Sequence, residues 1–296
     1  LKQIKDRRNN KNATIKFNLK KLDRLLGGIF TGHYVIVGMT GSGKTALAID
    51  VAISAALQGH SVLMFSAEMN SVELIYREIQ KTIGISVTNM RTGEVTDSQL
   101  ERIENYVTSP NFYVNDIGRI DIDELVSTAT LHHRKYGLEL LIVDYLQLLT
   151  TTKFPNNENS QIKYISNQLK ALSKSLNIPI LTLAQYNKTV DPGDKPNSND
   201  IYGSGSIKHD ADVILLIHKE YLGDDKIKND LKHPKNGYTE MIVDKSRFSQ
   251  TGSVFVKWVA HETRFADLPD DYFIPVEDKP NNRMGARARQ SAWLFI

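Results

Sequence analysis

Short apolar runs alternate with longer stretches of helical spacing through the middle of the chain. Tyr34–Val37, Ser61–Ser66, Leu140–Val143, Ile178–Leu183 and Val213–Ile217 are four to six residues long and largely apolar on both faces. Lys44–Leu57, Ser71–Ile83 and Ile162–Leu176 carry apolar residues at helical intervals. Thr96-Asp97-Ser98-Gln99 has the form of a capping box and predicts a helix to about Thr108. Asp121-Ile122-Asp123-Glu124 gives the same start signal for a helix to about Tyr136, and Phe112–Asn115 reads as a short strand. Strands that are apolar on both faces and separated by helices imply a parallel sheet covered on both sides, so the fold class is α/β and doubly wound. Near the end, Thr239–Lys245 (with Met241–Val243 at its centre) and Val254–Trp258 flank Ser249–Gly252, the pattern of a β-hairpin. Thr150–Ser160 and Asn187–Gly205 lack periodicity. The second, rich in Asp, Pro, Gly, Asn and Ser, is long enough to suggest function rather than mere connection.

Composition narrows the chemistry. The 296 residues contain no cysteine, which excludes disulfides, iron–sulfur clusters, thiolate zinc and a Cys nucleophile, and fits a reducing, cytoplasmic setting. No apolar run approaches the ~20 residues of a membrane span, so no membrane partner is expected. The first residues lack the apolar core of a signal peptide, and the chain begins with Leu, as a fragment of a longer protein would. The net charge of +3 conceals a division: residues 1–24 carry +7 and 279–296 carry +4, leaving −8 between them. A nucleic-acid partner must therefore be held by a few placed loops or by the basic ends. The eight His show no metal spacing; His132 and His133 are adjacent, face different directions on a helix and read as structural.

Gly38-Met39-Thr40-Gly41-Ser42-Gly43-Lys44-Thr45 fits G-x-x-x-x-G-K-[ST] between a strand and a helix. Its glycines allow backbone N–H groups to turn toward phosphate oxygens, and the following helix directs its positive end at the same anion. Lys44 would neutralise the β- and γ-phosphates of ATP, and the Thr45 hydroxyl would ligate Mg²⁺. Asp144, at the end of Leu140–Val143, is placed as a second metal-supporting carboxylate. Glu68 lies just past Ser61–Ser66 at the same sheet edge. It reads either as the base that takes a proton from water or as a solvated residue before a helix.

Ser66-Ala67-Glu68-Met69, Arg77 and Asp144-Tyr145-Leu146-Gln147 resemble the DnaB-type replicative helicases. Leu181-Thr182-Leu183-Ala184-Gln185-Tyr186-Asn187 looks like that family's third motif. Ser204-Gly205-Ser206-Ile207 with Asp210-Ala211-Asp212-Val213-Ile214 looks like its DNA-binding loop and the strand after it. Lys245-Ser246-Arg247, Thr251-Gly252 and Thr263-Arg264-Phe265 match its closing segments, so the resemblance runs through about residues 14–268. It implies a RecA-like motor domain over 14–275, without the family's N-terminal helical domain, preceded by a basic linker segment at 1–13 and followed by a basic tail at 276–296. A short, loader-independent, phage-encoded member is one form it allows.

The resemblance further implies a homohexameric ring that hydrolyses ATP, translocates on single-stranded DNA and separates duplex, with primase and a loader as partners. It assigns Gly38–Thr45 and Arg77 to nucleotide, Thr45 and Asp144 to Mg²⁺, Glu68 to water activation, and Gln185 to sensing the γ-phosphate. Lys245 and Arg247 would reach the neighbouring subunit's nucleotide. DNA contact falls to Lys188, Tyr202, Gly203, Ser204, Gly205 and Lys208. The chain departs from the family by carrying Tyr202-Gly203 in place of Arg-Glu, which removes a phosphate-contacting charge that Lys208 or stacking by Tyr202 would replace. Lys219–Gly237, with five Lys and four acidic residues, reads as a solvated insert. Two competing readings share the phosphate loop: a RecA-like ATP-binding assembly without unwinding, and a small-molecule kinase.

Overall fold

The computed structural model of the chain describes residues 14–187, 194–219 and 237–269. The basic linker segment, Lys188, residues 220–236 of the expected insert and the basic tail lie outside the described residues.

Helix α1 (Lys20–Leu26) precedes β1 (Gly32–Gly38), α2 (Lys44–Leu57) and β2 (Val62–Ser66). Three helices, α3 (Ser71–Ile83), α4 (Val87–Thr92) and α5 (Asp97–Glu104), lead to β3 (Phe112–Asn115). Next come β4 (Ile120–Asp121), α6 (Ile122–Tyr136), β5 (Leu140–Asp144), β6 (Leu149–Thr150), α7 (Glu158–Leu176) and β7 (Pro179–Ala184). A 3₁₀ turn at Ser198–Asp200 introduces α8 (Ser204–Asp210), followed by β8 (Val213–His218), β9 (Tyr238–Ser246), β10 (Gly252–Val259) and β11 (Arg264–Asp267).

Nine strands form one sheet in the order β11-β10-β9-β8-β1-β7-β5-β2-β3, while β4 and β6 pair separately. From β8 to β3 every pairing is parallel; β9, β10 and β11 add antiparallel strands beyond β8. The apolar strands are explained by where alternate residues go. Tyr34, Ile36, Val62, Met64, Leu140 and Ile142 enter a core under α1 and α2. Val35, Val37, Leu63, Phe65, Leu141 and Val143 enter a second core under α6, α7 and α8. Because successive side chains point to opposite faces, a strand buried on both sides has no position for a polar residue to reach water. The expected doubly wound sheet with helices on both faces and a late hairpin is the one observed.

Several boundaries differ from the sequence reading. Helix α5 ends at Glu104 rather than near Thr108; it buries no residue, and Val107 is 82% exposed, so nothing packs to extend it. Helix α7 begins four residues earlier than expected, inside the predicted loop Thr150–Ser160, because the Asn157 side chain accepts the Ser160 N–H as a cap. Lys219 does not belong to a solvated insert: it directly follows β8 and is 4% exposed.

Candidate active site

The parallel strands deliver their C-terminal ends to one edge, where Ser66 lies opposite Asp144 and Ala184 opposite Val37, with Gly38 next along β1. This is the edge at which open α/β sheets bind ligands. The phosphate loop closes onto α2 through Gly43, whose φ of +98° lies in the left-handed region. A Cβ there would meet the Phe265 ring at 2.8 Å and the Trp258 ring at 3.0 Å, so the loop is seated on an aromatic pair contributed by β10 and β11.

Lys44 is buried, and its Nζ donates to the carbonyls of Gly38 and Met39, both at 2.8 Å. Burial lowers its pKa to about 8, while the carboxylates of Asp144 and Glu68 act in the opposite direction. Asp144 is 2% exposed. Burial is the main cause of its rise to about 6; a hydrogen bond from Thr45 and the charge of Lys44 pull it down, and Glu68 pushes it up. Asp144 Oδ2 has no hydrogen-bond partner, nor does the buried hydroxyl of Ser42. The orphaned Asp144 oxygen and the Thr45 hydroxyl beside that carboxylate form a hard-oxygen donor set that fits Mg²⁺ accompanying a phosphate ligand.

A cavity of about 230 Å³ opens at this edge, lined by Thr40, Gly41, Gly43, Lys44, Thr45, Glu68, Arg77 and Gln185, together with Met69, Trp258 and Thr263. The structure therefore brings together most of the residues expected at the nucleotide. Glu68 is exposed in a turn fixed by Ser66, whose Oγ donates to the Met69 carbonyl at 2.7 Å and accepts the Met69 N–H at 3.2 Å. The Ala67 N–H donates to the Asp144 carbonyl at 2.9 Å, which ties the two carboxylate-bearing strand ends together. Arg77 stands in the wall shared with a larger cavity of about 840 Å³, and its Nε and Nη1 are buried without partners.

Gln185 follows β7 directly, and its carbonyl accepts the Tyr202 N–H at 3.2 Å. Tyr186 and Ile201 form an antiparallel bridge, and the Asn187 N–H donates to the Asp200 carbonyl at 2.8 Å. The expected DNA segment is thus joined by main chain to the expected phosphate sensor. Gly203 has φ +76°, and a Cβ on it would meet Ile162 Cγ2 at 2.7 Å, so the entry to α8 is fixed against α7. Gly205 and Lys208 are exposed, Ser204 opens α8, and Lys208 Nζ donates to Asn199 Oδ1 at 3.1 Å. Tyr202 packs on the second core, and Glu158 beside it raises its pKa, so base stacking by its ring would require these contacts to be exchanged.

Lys245 and Arg247 are not at this cavity. Antiparallel pairing sets Ser246 opposite Val213, the first residue of β8, which puts both cations at the opposite edge of the sheet from their own phosphate loop. His132 packs edge-on to Tyr113, with ring centroids 4.4 Å apart, and His133 Nδ1 bonds the Leu138 carbonyl at 2.9 Å. Sequence reasoning missed Trp258 as a site residue, and with it the buried Lys219 that contacts its ring. Lys219 Nζ lies 4.0 Å from the Trp258 ring centroid, and burial lowers its pKa to about 8. The signal available was its place just beyond a strand that ends at the nucleotide edge.

The DnaB-like helicase C-terminal domain family matches residues 14–267. The chain is 33% identical over 267 residues to the replicative DNA helicase DnaB of Pasteurella multocida, covering 85% of this chain and 56% of that protein. It is 34% identical over 232 residues to a probable plasmid replicative DNA helicase of Chlamydia psittaci, covering 76% and 48%. The chain thus spans about half the length of these relatives. A solved structure of a DnaB-like replicative helicase, described with its interactions with primase, superposes with a TM-score of 0.77 at 24% identity over 86% of this chain and 63% of its own. A solved ATPase domain gives the same TM-score at 23% identity, over 86% of this chain and 91% of its own.

Proposed function

The chain belongs to the family of DnaB-like helicase C-terminal domains, and from that membership we propose that it is the ATP-hydrolysing motor of a replicative DNA helicase. The proposed unit is a cytoplasmic homohexameric ring that moves on single-stranded DNA and separates duplex. One observation carries this reading: Gln185 lines the same cavity as Lys44, Thr45 and Glu68, and its carbonyl holds the backbone of Tyr202 at the start of the expected DNA loop. A kinase site would have no use for that connection, and family membership does not favour a nucleotide-binding assembly that lacks unwinding. Primase and a loader are proposed as partners engaged outside the ATPase domain.

In the mechanism, Lys44 exchanges its two backbone acceptors for the β- and γ-phosphates of ATP, and the backbone N–H groups of Gly41–Lys44 surround the same oxygens. Thr45 and Asp144 are the residues that would hold Mg²⁺, which supplies charge neutralisation between the phosphates when bound. Glu68 accepts a proton from water as its oxygen bonds to the γ-phosphorus and the bond to the ADP oxygen breaks. Gln185 contacts the γ-phosphate and passes its loss to Tyr202 along the shared backbone hydrogen bond. Arg77 stands where the nucleoside would leave the small cavity for the larger one.

Arg247 would act on the nucleotide of the adjacent subunit, since it lies at the far edge from its own. A guanidinium offered in trans to the γ-phosphoryl is worth about 10³–10⁵ in rate in known cases. The test is ATPase activity with and without poly(dT), with mass measured in parallel. A DNA-stimulated hexamer is the expected result, and an unstimulated monomer overturns the reading. Within assembled rings, Arg247→Ala and Lys44→Ala subunits should each keep only residual ATPase activity alone. Exchanged into mixed rings, they should regain some ATPase activity, because some interfaces then hold Lys44 from one subunit and Arg247 from the next. No recovery in verified mixed rings at any ratio would show that Arg247 does not act in trans.

The site also sets a pH window. Asp144 loses its charge as pH falls through about 6, and Lys44 loses its charge as pH rises through about 8. Both charges are needed to bind the metal–phosphate group, so kcat/KM for ATP should be bell-shaped, with limbs near those values. A flat profile across both limbs would mean that neither charge governs productive binding.

A further inference from the structure

Asp212 has no part in the nucleotide cavity, yet its carboxylate is 3% exposed and engaged from three elements. Oδ2 accepts the His33 N–H from β1 at 2.8 Å and the Lys170 ammonium from α7. Oδ1 faces Arg247 Nη1 at 3.6 Å. The main chain repeats the grip: the Asp212 carbonyl accepts the Arg247 N–H at 2.9 Å, and the Asp212 N–H donates to the His33 carbonyl at 2.8 Å. One buried residue thus fixes both the backbone and the side chain of Arg247 to the central strand of the sheet.

The end of α8 supplies the remaining contacts. Arg247 Nη2 donates to the His209 carbonyl at 3.1 Å, and Lys245 Nζ donates to the Lys208 carbonyl. Cations at the last carbonyls of a helix are favourably placed. A guanidinium has five N–H donors, and the hydrogen bond to His209 engages one, so about four remain on a side chain that is 50% exposed. Lys170 meanwhile keeps a positive partner on Asp212, so Arg247 can lean onto an external anion without stranding a buried carboxylate.

We propose that Asp212 is a positioning residue for hydrolysis: its buried carboxylate fixes the direction in which Arg247 is presented to the neighbouring subunit's nucleotide. This rests on the trans role of Arg247 given above. A group held in advance loses less freedom when the transition state forms, so the benefit falls on kcat. ATP itself is bound by the phosphate loop of the other subunit, so KM should be spared.

The test uses rings of the full chain, their assembly checked by mass, in a two-by-two comparison. Asp212→Asn keeps the shape and removes the charge. It should lower the DNA-stimulated kcat about 10-fold and leave KM for ATP within about 2-fold. In an Arg247→Ala background the same substitution should change kcat by less than about 2-fold, because the group it positions is gone. An equal fall in both backgrounds, or a rise in KM alone, overturns the proposal. If Asp212→Asn does not assemble, Asp212→Glu carries the test: it retains the charge but displaces it by one methylene, and the same Arg247-dependent fall is expected. If neither variant assembles, Asp212 serves only the fold and the proposal is wrong. An Arg247→Ala ring of undiminished kcat sinks the trans reading itself. Loss of kcat in Arg247→Ala but not in Asp212→Asn sinks only the positioning role.

Discussion

Lys44→Ala should reduce ATP hydrolysis by about 10³-fold or more while the chain still folds. Within the cavity, Lys44 and Arg77 are the two cations, and Arg77 sits in the wall toward the larger cavity rather than in the phosphate loop. Nothing else in that loop can neutralise the β- and γ-phosphates as charge develops. Survival of the fold is less obvious than the sequence suggests, because a helix-heading lysine reads as a residue near the surface that packs little, and here it is 8% exposed. Two effects oppose each other. The substitution removes hydrogen bonds to the Gly38 and Met39 carbonyls, each worth about 0.5–1.5 kcal/mol net. It also removes an ammonium whose burial is unfavourable enough to pull its pKa to about 8. The two effects offset each other, so the net change in stability should stay within about 1–2 kcal/mol. Turnover measured beside a thermal melt checks both halves. A variant that melts normally and keeps most of its ATPase activity removes the phosphate-site assignment.

The parts of this site that were legible in the sequence are those whose chemistry is contiguous. Phosphate binding needs glycines, a lysine and a hydroxyl within one turn, so Gly38–Thr45 announces itself, and the apolar run before Asp144 shows which edge that carboxylate reaches. Trp258 and its contact with Lys219 were not legible, because β10 is brought to the phosphate loop only in a sheet whose order differs from the order of the chain. The pairing of Asp212 with Arg247 fails to show for the same reason: it depends on antiparallel register between β8 and β9. Helix ends were misplaced where no buried face decided them, as at α5, or where a polar cap did, as Asn157 does for α7. The doubly wound sheet was recoverable because strands buried on both faces leave a pattern that does not depend on partners.

Glu68→Gln should separate binding from chemistry. The side chain keeps its size and its place in a turn held by Ser66, so nucleotide should bind nearly as before. It loses the ability to take a proton, and hydrolysis should fall by about 10²-fold or more. The same substitution carries an electrostatic signature that a merely structural change would not. Glu68 is one of the charges that raise Asp144, so its neutralisation should move the acid limb of Mg²⁺–nucleotide binding below about 6. It also supports the protonated form of Lys44, so the basic limb should move below about 8. The window for binding therefore shifts as a whole toward acid while turnover collapses. Binding of a fluorescent ATP analogue across pH, set beside single-turnover hydrolysis, reads both. If affinity drops while turnover per bound ATP is preserved, Glu68 only shapes the turn, and the proton acceptor must be sought among the other groups that face the cavity.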